Sequence, residues 1–216
     1  MPLYTADALI LRTYRLGESD RIVVFLTRDR GKKRGVAKNA RQSRRRFGGA
    51  LEPMTCGRVG YLERERRDLV QLHYVEPTRS PLGAEGGEAL GYVSYFAELL
   101  DEWAQDADAD DRLYRLGASM LDALAAGVPV EPLARYFEYW LLRLQGLYPE
   151  SRGTLSDGAM AFLTASRSAA PDRVGDLPAE RRTLRELETV HRSLISMHLE
   201  KTLKSDRVLR DLRRTP

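Results

Sequence analysis

Three consecutive stretches, Ala8-Leu9-Ile10-Leu11, Leu16-Gly17-Glu18-Ser19-Asp20 and Arg21-Ile22-Val23-Val24-Phe25-Leu26, decide how the first part of the chain reads. Two short apolar runs, the second rich in β-branched residues, flank five residues of turn chemistry, so the spacing predicts a β-hairpin. A second turn at Asp29-Arg30-Gly31 leads into Lys32-Lys33-Arg34-Gly35-Val36-Ala37-Lys38, a third strand studded with cations. Met54 to Tyr61 and Asp68 to Val75 form a further strand pair around residues 63–67. The apolar content leaves little for a second sheet. Five short strands of this kind imply a small closed or nearly closed barrel, and closure removes the edges an open sheet would expose.

The period of the apolar pattern changes near Pro77 and Pro81. Ala89, Leu90, Val93, Phe96, Ala97, Leu100 and Trp103 follow helical spacing, as do Leu113, Leu116, Met120, Leu121 and Leu124. Gly127-Val128-Pro129 breaks the chain, and a third helix places Leu133, Phe137, Trp140, Leu141 and Leu144 on one face. Ser156 is an N-cap for a short helix through Leu163. Residues 168–177 read as a linker, and Pro178 sits near the start of a long helix bearing Leu184, Leu187, His191, Leu194, Ile195 and His198. The expected architecture is α+β: an N-terminal five-stranded barrel over residues 1–80, then an all-α domain over 81–216.

Of the 216 residues 43% are hydrophobic and 31% charged, a balance that fits a packed chain rather than a disordered one. No apolar run approaches the roughly 20 residues needed to cross a bilayer. The opening MPLYTADALILRTYR lacks the basic segment and small-residue cleavage site of a secretory signal. Cys56 is the single cysteine, which excludes an intrachain disulfide and a cysteine-rich zinc site. A cytoplasmic location without membrane association is the expectation. Charge is sorted along the chain: residues 1–80 carry 18 Lys or Arg against 9 acids, residues 81–150 carry 4 against 13, and the remainder 13 against 9. Such polarity bears on partners rather than on fold.

Residues 28–46 concentrate the signal, with ten Lys or Arg against the lone acid Asp29. Held on one barrel face and its loop, these cations would meet the phosphates of a nucleic-acid strand and release condensed counterions. Arginine grips phosphate in two places and stacks on bases. The plainer alternative is a solvated, solubilising loop; the clustering of ten cations favours a binding surface. Among the barrel aromatics Tyr14, Phe47, Tyr61 and Tyr74, Phe47 directly follows Arg44-Arg45-Arg46 and is the first candidate for base stacking, although the barrel core has equal need of it.

Little points to catalysis. The run Asp106 to Asp111 lacks the central glycine and terminal glutamate of a calcium loop, and reads instead as an acidic lead into a helix N-terminus. His191 and His198 are seven apart on an apolar stripe, a spacing for packed or boundary histidines rather than paired metal ligands. Cys56 reads as a small hydrophobe on a strand face. No phosphate loop, dinucleotide fingerprint or nucleophile elbow occurs. The expectation is a protein that is not an enzyme, with no cofactor and no metal.

The order of these features resembles the RecO family of bacterial DNA-repair proteins. The apolar strand Ala8 to Arg12, the turn Leu16-Gly17-Glu18-Ser19-Asp20, the second strand through Leu26-Thr27, then Gly31 and a basic segment ending near Leu51-Glu52-Pro53 follow the family's order. Arg143-Leu144-Gln145-Gly146-Leu147-Tyr148-Pro149 is similar to its L-L-x-x-x-G-x-x-P helix end, and His198 to Ser205 extends the likeness to the C-terminal region. The resemblance implies an OB-fold followed by a helical domain. It implies a recombination mediator that binds single- and double-stranded DNA, promotes strand annealing, and helps load the RecA recombinase with RecR onto DNA covered by single-strand-binding protein. The DNA-contacting role would fall on Lys32, Lys33, Arg34, Lys38, Arg41, Arg44, Arg45 and Arg46. Many members carry a four-cysteine zinc module after that helix end. Here residues 149–155 run on without a cysteine, so no zinc is expected. Two rival readings are an RNA-associated OB-fold protein and a metal-dependent nuclease using Glu63, Glu65 and Asp68. Arg112, Arg115 and Arg135 are weak candidates for binding a partner's carboxylates.

Overall fold

The computed structural model describes residues 3–43, 46–63, 68–81, 87–149 and 155–212. Five strands, β1 (Leu3–Leu16), β2 (Asp20–Thr27), β3 (Gly31–Ala37), β4 (Cys56–Leu62) and β5 (Val70–Arg79), close into a barrel in the order β1-β2-β3-β5-β4. All neighbours are antiparallel except β3 and β5, which pair in parallel through Gly35–Ala37. β1 is long enough, at 14 residues, to pair with β2 through one half and β4 through the other. That double use is what closes the sheet. This is the five-stranded OB-type barrel expected from the sequence.

The interior follows the two-residue period of the strands. Ala8, Ile10, Val23, Phe25, Val59, Tyr61 and Leu72 point inward, and Phe47, Ala50 and Leu51 from the β3–β4 connection join them. Burying each larger side chain contributes roughly 1.5–3 kcal/mol. A bulge between Ile10 and Arg12 shifts the register of β1 against β2. Ile10 pairs with Phe25 before it, and Thr13 pairs with Val23 after it, so inward positions are even before the bulge and odd beyond it.

Among the described residues six helices follow: α1 (Gly87–Trp103), α2 (Asp111–Ala125), α3 (Val130–Leu144), α4 (Asp157–Ser166), α5 (Arg181–Leu199) and α6 (Lys204–Leu212). The linker expected at 168–177 contains a 3₁₀ turn at Pro171–Asp176. The acidic run starts α2 as anticipated, since the Asp110 carboxylate accepts from the backbone N–H groups of Arg112 and Leu113, both at 3.0 Å. Ser156 caps α4, its Oγ accepting from the Ala159 N–H.

The chain forms two compact units. The first joins the barrel to residues 93–121, so the end of α1 and the beginning of α2 belong with the strands. Gly117 is the point of closest approach there: a Cβ would lie 2.7 Å from side-chain atoms of Leu9 and Leu100. The second unit comprises residues 84–92 and 122–216. Its centre is a buried polar chain on α3 and α5. Arg135 pairs with Glu138 at 2.9 Å, Glu138 meets His191 Nδ1 at 2.9 Å, and His191 Nε2 meets the Tyr148 hydroxyl at 3.2 Å. His191 is thus a packed, hydrogen-bonded histidine, while His198 lies exposed. No helix is long and apolar enough to cross a membrane among the described residues.

Candidate nucleic-acid interface

The cations of β3 have acidic partners close by. Because β5 pairs only with Gly35–Ala37, the first half of β3 leaves an edge on that side, and residues 105–107 cover it. The Lys32 N–H donates to the Gln105 carbonyl at 3.0 Å, and the Ala107 N–H donates to the Lys32 carbonyl at 3.2 Å. Gly31 is required at this crossing. Its φ is +67°, and a Cβ would lie 2.4 Å from the Asp108 backbone nitrogen.

The side chains repeat the pattern. The Lys32 ammonium donates to the Asp101 carbonyl at 2.6 Å and lies 3.4 Å from its carboxylate, with the side chains 11% and 5% exposed. Burial outweighs the nearby acids and holds the Lys32 pKa below the ordinary lysine value. Arg12 from β1 bonds the same carboxylate. Lys33 donates to Glu63 at 2.7 Å and is largely covered. Arg28 donates to Asp111 at 2.7 Å, which raises its pKa. Of the three cations on β3, Arg34 keeps an open head, its contact with Asp106 being 3.8 Å and both side chains more than half exposed.

The loop after β3 is different. Lys38 and Arg41 are exposed, Arg46 is half-buried, and none forms an ion pair among the described residues. Their bonds go to neutral groups. Arg41 donates from its backbone to the Ser19 carbonyl at 3.2 Å and from Nη1 to the Glu18 carbonyl at 2.9 Å. Arg46 donates to Ser43 Oγ and to the Lys38 carbonyl, and its guanidinium lies 5.1 Å from the Phe47 ring centroid. The Asp20 carboxylate accepts from the Asn39 N–H at 2.8 Å, tying the loop to the β1–β2 turn.

That tie brings in two cations the sequence reading passed over. Arg15 and Arg21 pair across the β1–β2 hairpin, and Arg21 also pairs with Ala37 on β3. The register of the hairpin therefore gathers Arg15, Arg21, Lys38, Arg41 and Arg46 at one end of the barrel. Arg15 and Arg21 lie outside the dense run of residues 28–46, so only the hairpin register, which the turn chemistry hinted at, could have recruited them. Arg44 and Arg45 lie outside the described residues.

Phe47 must be corrected. It is 1% exposed and belongs to the barrel core, where Phe47, Ala50 and Leu51 turn inward under the strands. Its ring has no open face for a base. Arg135 is buried against Glu138 and Glu188 rather than presented to a partner, and Arg112 and Arg115 are exposed beside Asp110 and Asp111.

Of the carboxylates of the nuclease reading, Glu63 and Asp68 line one cleft of about 450 Å³ together with Asp106 and the cations Lys32, Lys33 and Arg34; Glu63 is engaged by Lys33, and Glu65 lies outside the described residues. Among the described residues no group of three or more His, Cys, Asp or Glu side chains is arranged to hold a metal ion. The zinc module of the resemblance does not fit these residues either. Cys56 is buried on β4, 3.8 Å from the Tyr114 hydroxyl and 3.6 Å from Arg79, and residues 150–154 lie outside the described residues.

Comparison with known proteins agrees with this architecture. A family model described as "Recombination protein O N terminal" matches residues 1–81, the barrel, and one described as "Recombination protein O C terminal" matches residues 84–153. The chain is 43% identical over 152 residues to the DNA repair protein RecO of Koribacter versatilis (strain Ellin345), covering 68% of this chain and 61% of that one. It is 44% identical over 144 residues to the DNA repair protein RecO of Anaeromyxobacter sp. (strain K), covering 65% and 56%. These matches thus span about three-fifths or less of the relatives' own lengths. A similar protein of the same name from Pelotomaculum thermopropionicum is 29% identical across 95% of this chain and 93% of its own. With residues 1–81 and 84–153 matched in order by the two models, the protein belongs to the RecO family of DNA repair proteins.

Proposed function

We propose that the barrel, taken as a domain of residues 1–80, binds the phosphate backbone of single- and double-stranded DNA and promotes annealing of complementary strands. One observation carries the reading: Lys38, Arg41 and Arg46, with Arg15 and Arg21 beside them, form a cationic end of the barrel without acidic partners among the described residues. Arg34, with its open head on β3, is added to this surface. Lys32 and Lys33 belong to the frame, since a phosphate would have to displace Asp101 or Glu63 from a largely covered ammonium. Annealing calls for no catalytic residue. It calls for reduced repulsion between two strands, which phosphate contacts supply without reading sequence.

The relatives are named as DNA repair proteins, and that supports DNA over RNA as the partner. Loading of RecA with RecR onto DNA covered by single-strand-binding protein is the wider role that family membership brings to this reading, with the cytoplasm as its place. Titration of a labelled single strand at several salt concentrations tests the core of it. With about six phosphates neutralised, log affinity against log salt has a slope near −4. A flat salt dependence, or stronger competition by an RNA of the same sequence, overturns it.

A further inference from the structure

The β-bulge in β1 has a consequence outside the core. Without it, Tyr14 and Leu16 would share the inward face with Ala8 and Ile10. With Leu11 as the extra residue, Thr13 takes the inward position and its Oγ1 donates to the Leu51 carbonyl at 2.8 Å. Arg12, Tyr14 and Leu16 then stand on the outer face of the projecting hairpin. Tyr14 is 42% and Leu16 39% exposed, so two large apolar side chains stand side by side in solvent. The Arg12 guanidinium, anchored by Asp101, lies 5.4 Å from the Tyr14 ring centroid and holds that ring from one side. The cations Arg15 and Arg21 alternate with these residues onto the hairpin's other face.

We infer that Tyr14, with Leu16 beside it, is a stacking platform for unpaired nucleobases, so that this end of the barrel binds single strands in preference to duplex. This rests on the DNA-binding reading above and names the substrate form it selects. A single strand offers both a phosphate backbone and free base faces, and a hairpin with cations on one face and a held aromatic ring on the other meets both. Duplex bases, stacked on each other, have no free face for Tyr14. The ring is also restrained before binding, so little side-chain freedom is lost on contact.

The test uses the full chain with a fluorescein-labelled oligothymidylate and a labelled duplex of the same length. Tyr14→Thr keeps a strand-favouring residue while removing the ring, and Tyr14→Phe keeps the ring. The expected result is a drop of about tenfold in single-strand affinity for Tyr14→Thr, near wild-type affinity for Tyr14→Phe, and unchanged duplex affinity and salt slope for both. Loss of single-strand and duplex affinity in equal measure, or no loss of either, overturns the platform. If the wild-type chain binds neither DNA, or binds without salt dependence, it is the underlying DNA-binding reading that fails.

Discussion

Strand β3 and the loop that follows it are about equally cationic in sequence, yet the structure treats their charges in opposite ways. Lys32 and Lys33 are largely covered and face Asp101 and Glu63, whereas Lys38 and Arg41 stand exposed and bond, where they bond at all, to neutral oxygens. The deciding acids lie 30 and 69 residues away along the chain. A run of positive charge therefore states how many cations are present, and the long-range packing states which of them remain open to a partner. Charge reversal at each place separates the two uses.

On the strand, reversal should act on stability. Lys32→Glu places a carboxylate beside the buried Asp101 and removes the ammonium that bonds its carbonyl, so unfolding free energy should fall by about 4 kcal/mol. Urea denaturation followed by circular dichroism measures it. A stable Lys32→Glu protein with weakened DNA binding would reverse the assignment and return β3 to the interface.

Phe47 sharpens the same contrast at the boundary of the two regions. Phe47→Ala should cost about 3 kcal/mol, because a fully buried ring leaves a cavity under the strands. Its DNA affinity, measured below the unfolding transition, should stay near that of the wild type. Were the ring a stacking group, the losses would fall the other way.

On the loop, reversal should act on binding. The double variant Lys38→Glu with Arg41→Glu removes two phosphate contacts and adds repulsion, for a fall in affinity of about a hundredfold at moderate salt. Stability should change by no more than about 1 kcal/mol, reflecting the loss of the Arg41 bond to the Glu18 carbonyl. Fluorescence anisotropy and the same urea titration give both numbers.

Much of the fold was legible because it is local. The hairpin came from apolar runs around Leu16 to Asp20, the helices from their period, and the acidic lead into α2 and the cap at Ser156 from residue chemistry at a predictable place. The site was less legible because it depends on register. Nothing near Arg15 or Arg21 in sequence announces that the hairpin carries them to the 38–41 loop. The bulge at Ile10 to Arg12 turns Tyr14 outward, although plain alternation from Ala8 and Ile10 would bury it. Composition alone is silent on where the acids go: Asp101 and Asp111 pack within the first compact unit and pair with Lys32 and Arg28.

The smallest effect tests whether the interior beneath β3 is purely structural. Tyr61 is buried in the barrel, and its hydroxyl has no hydrogen-bond partner among the described residues. Burial, with the nearby Glu63 carboxylate, pushes its pKa up to about 12 from the ordinary value of 10. Between those values the unfolded chain has lost the phenolic proton while the folded protein retains it. Stability therefore falls as pH rises through that window. Tyr61→Phe removes both an unsatisfied hydroxyl and this titration. At neutral pH the variant should be as stable as the wild type or more stable by less than about 1 kcal/mol, since no hydrogen bond is lost. Above pH 10 its stability should decline less steeply, as read from urea midpoints across the alkaline range. DNA affinity should be unchanged, because the group lies inside the barrel and away from the cationic loop. A Tyr61→Phe protein with impaired binding and unaltered alkaline stability would mean that the hydroxyl faces a partner, and the division between structural interior and binding end would have to be redrawn.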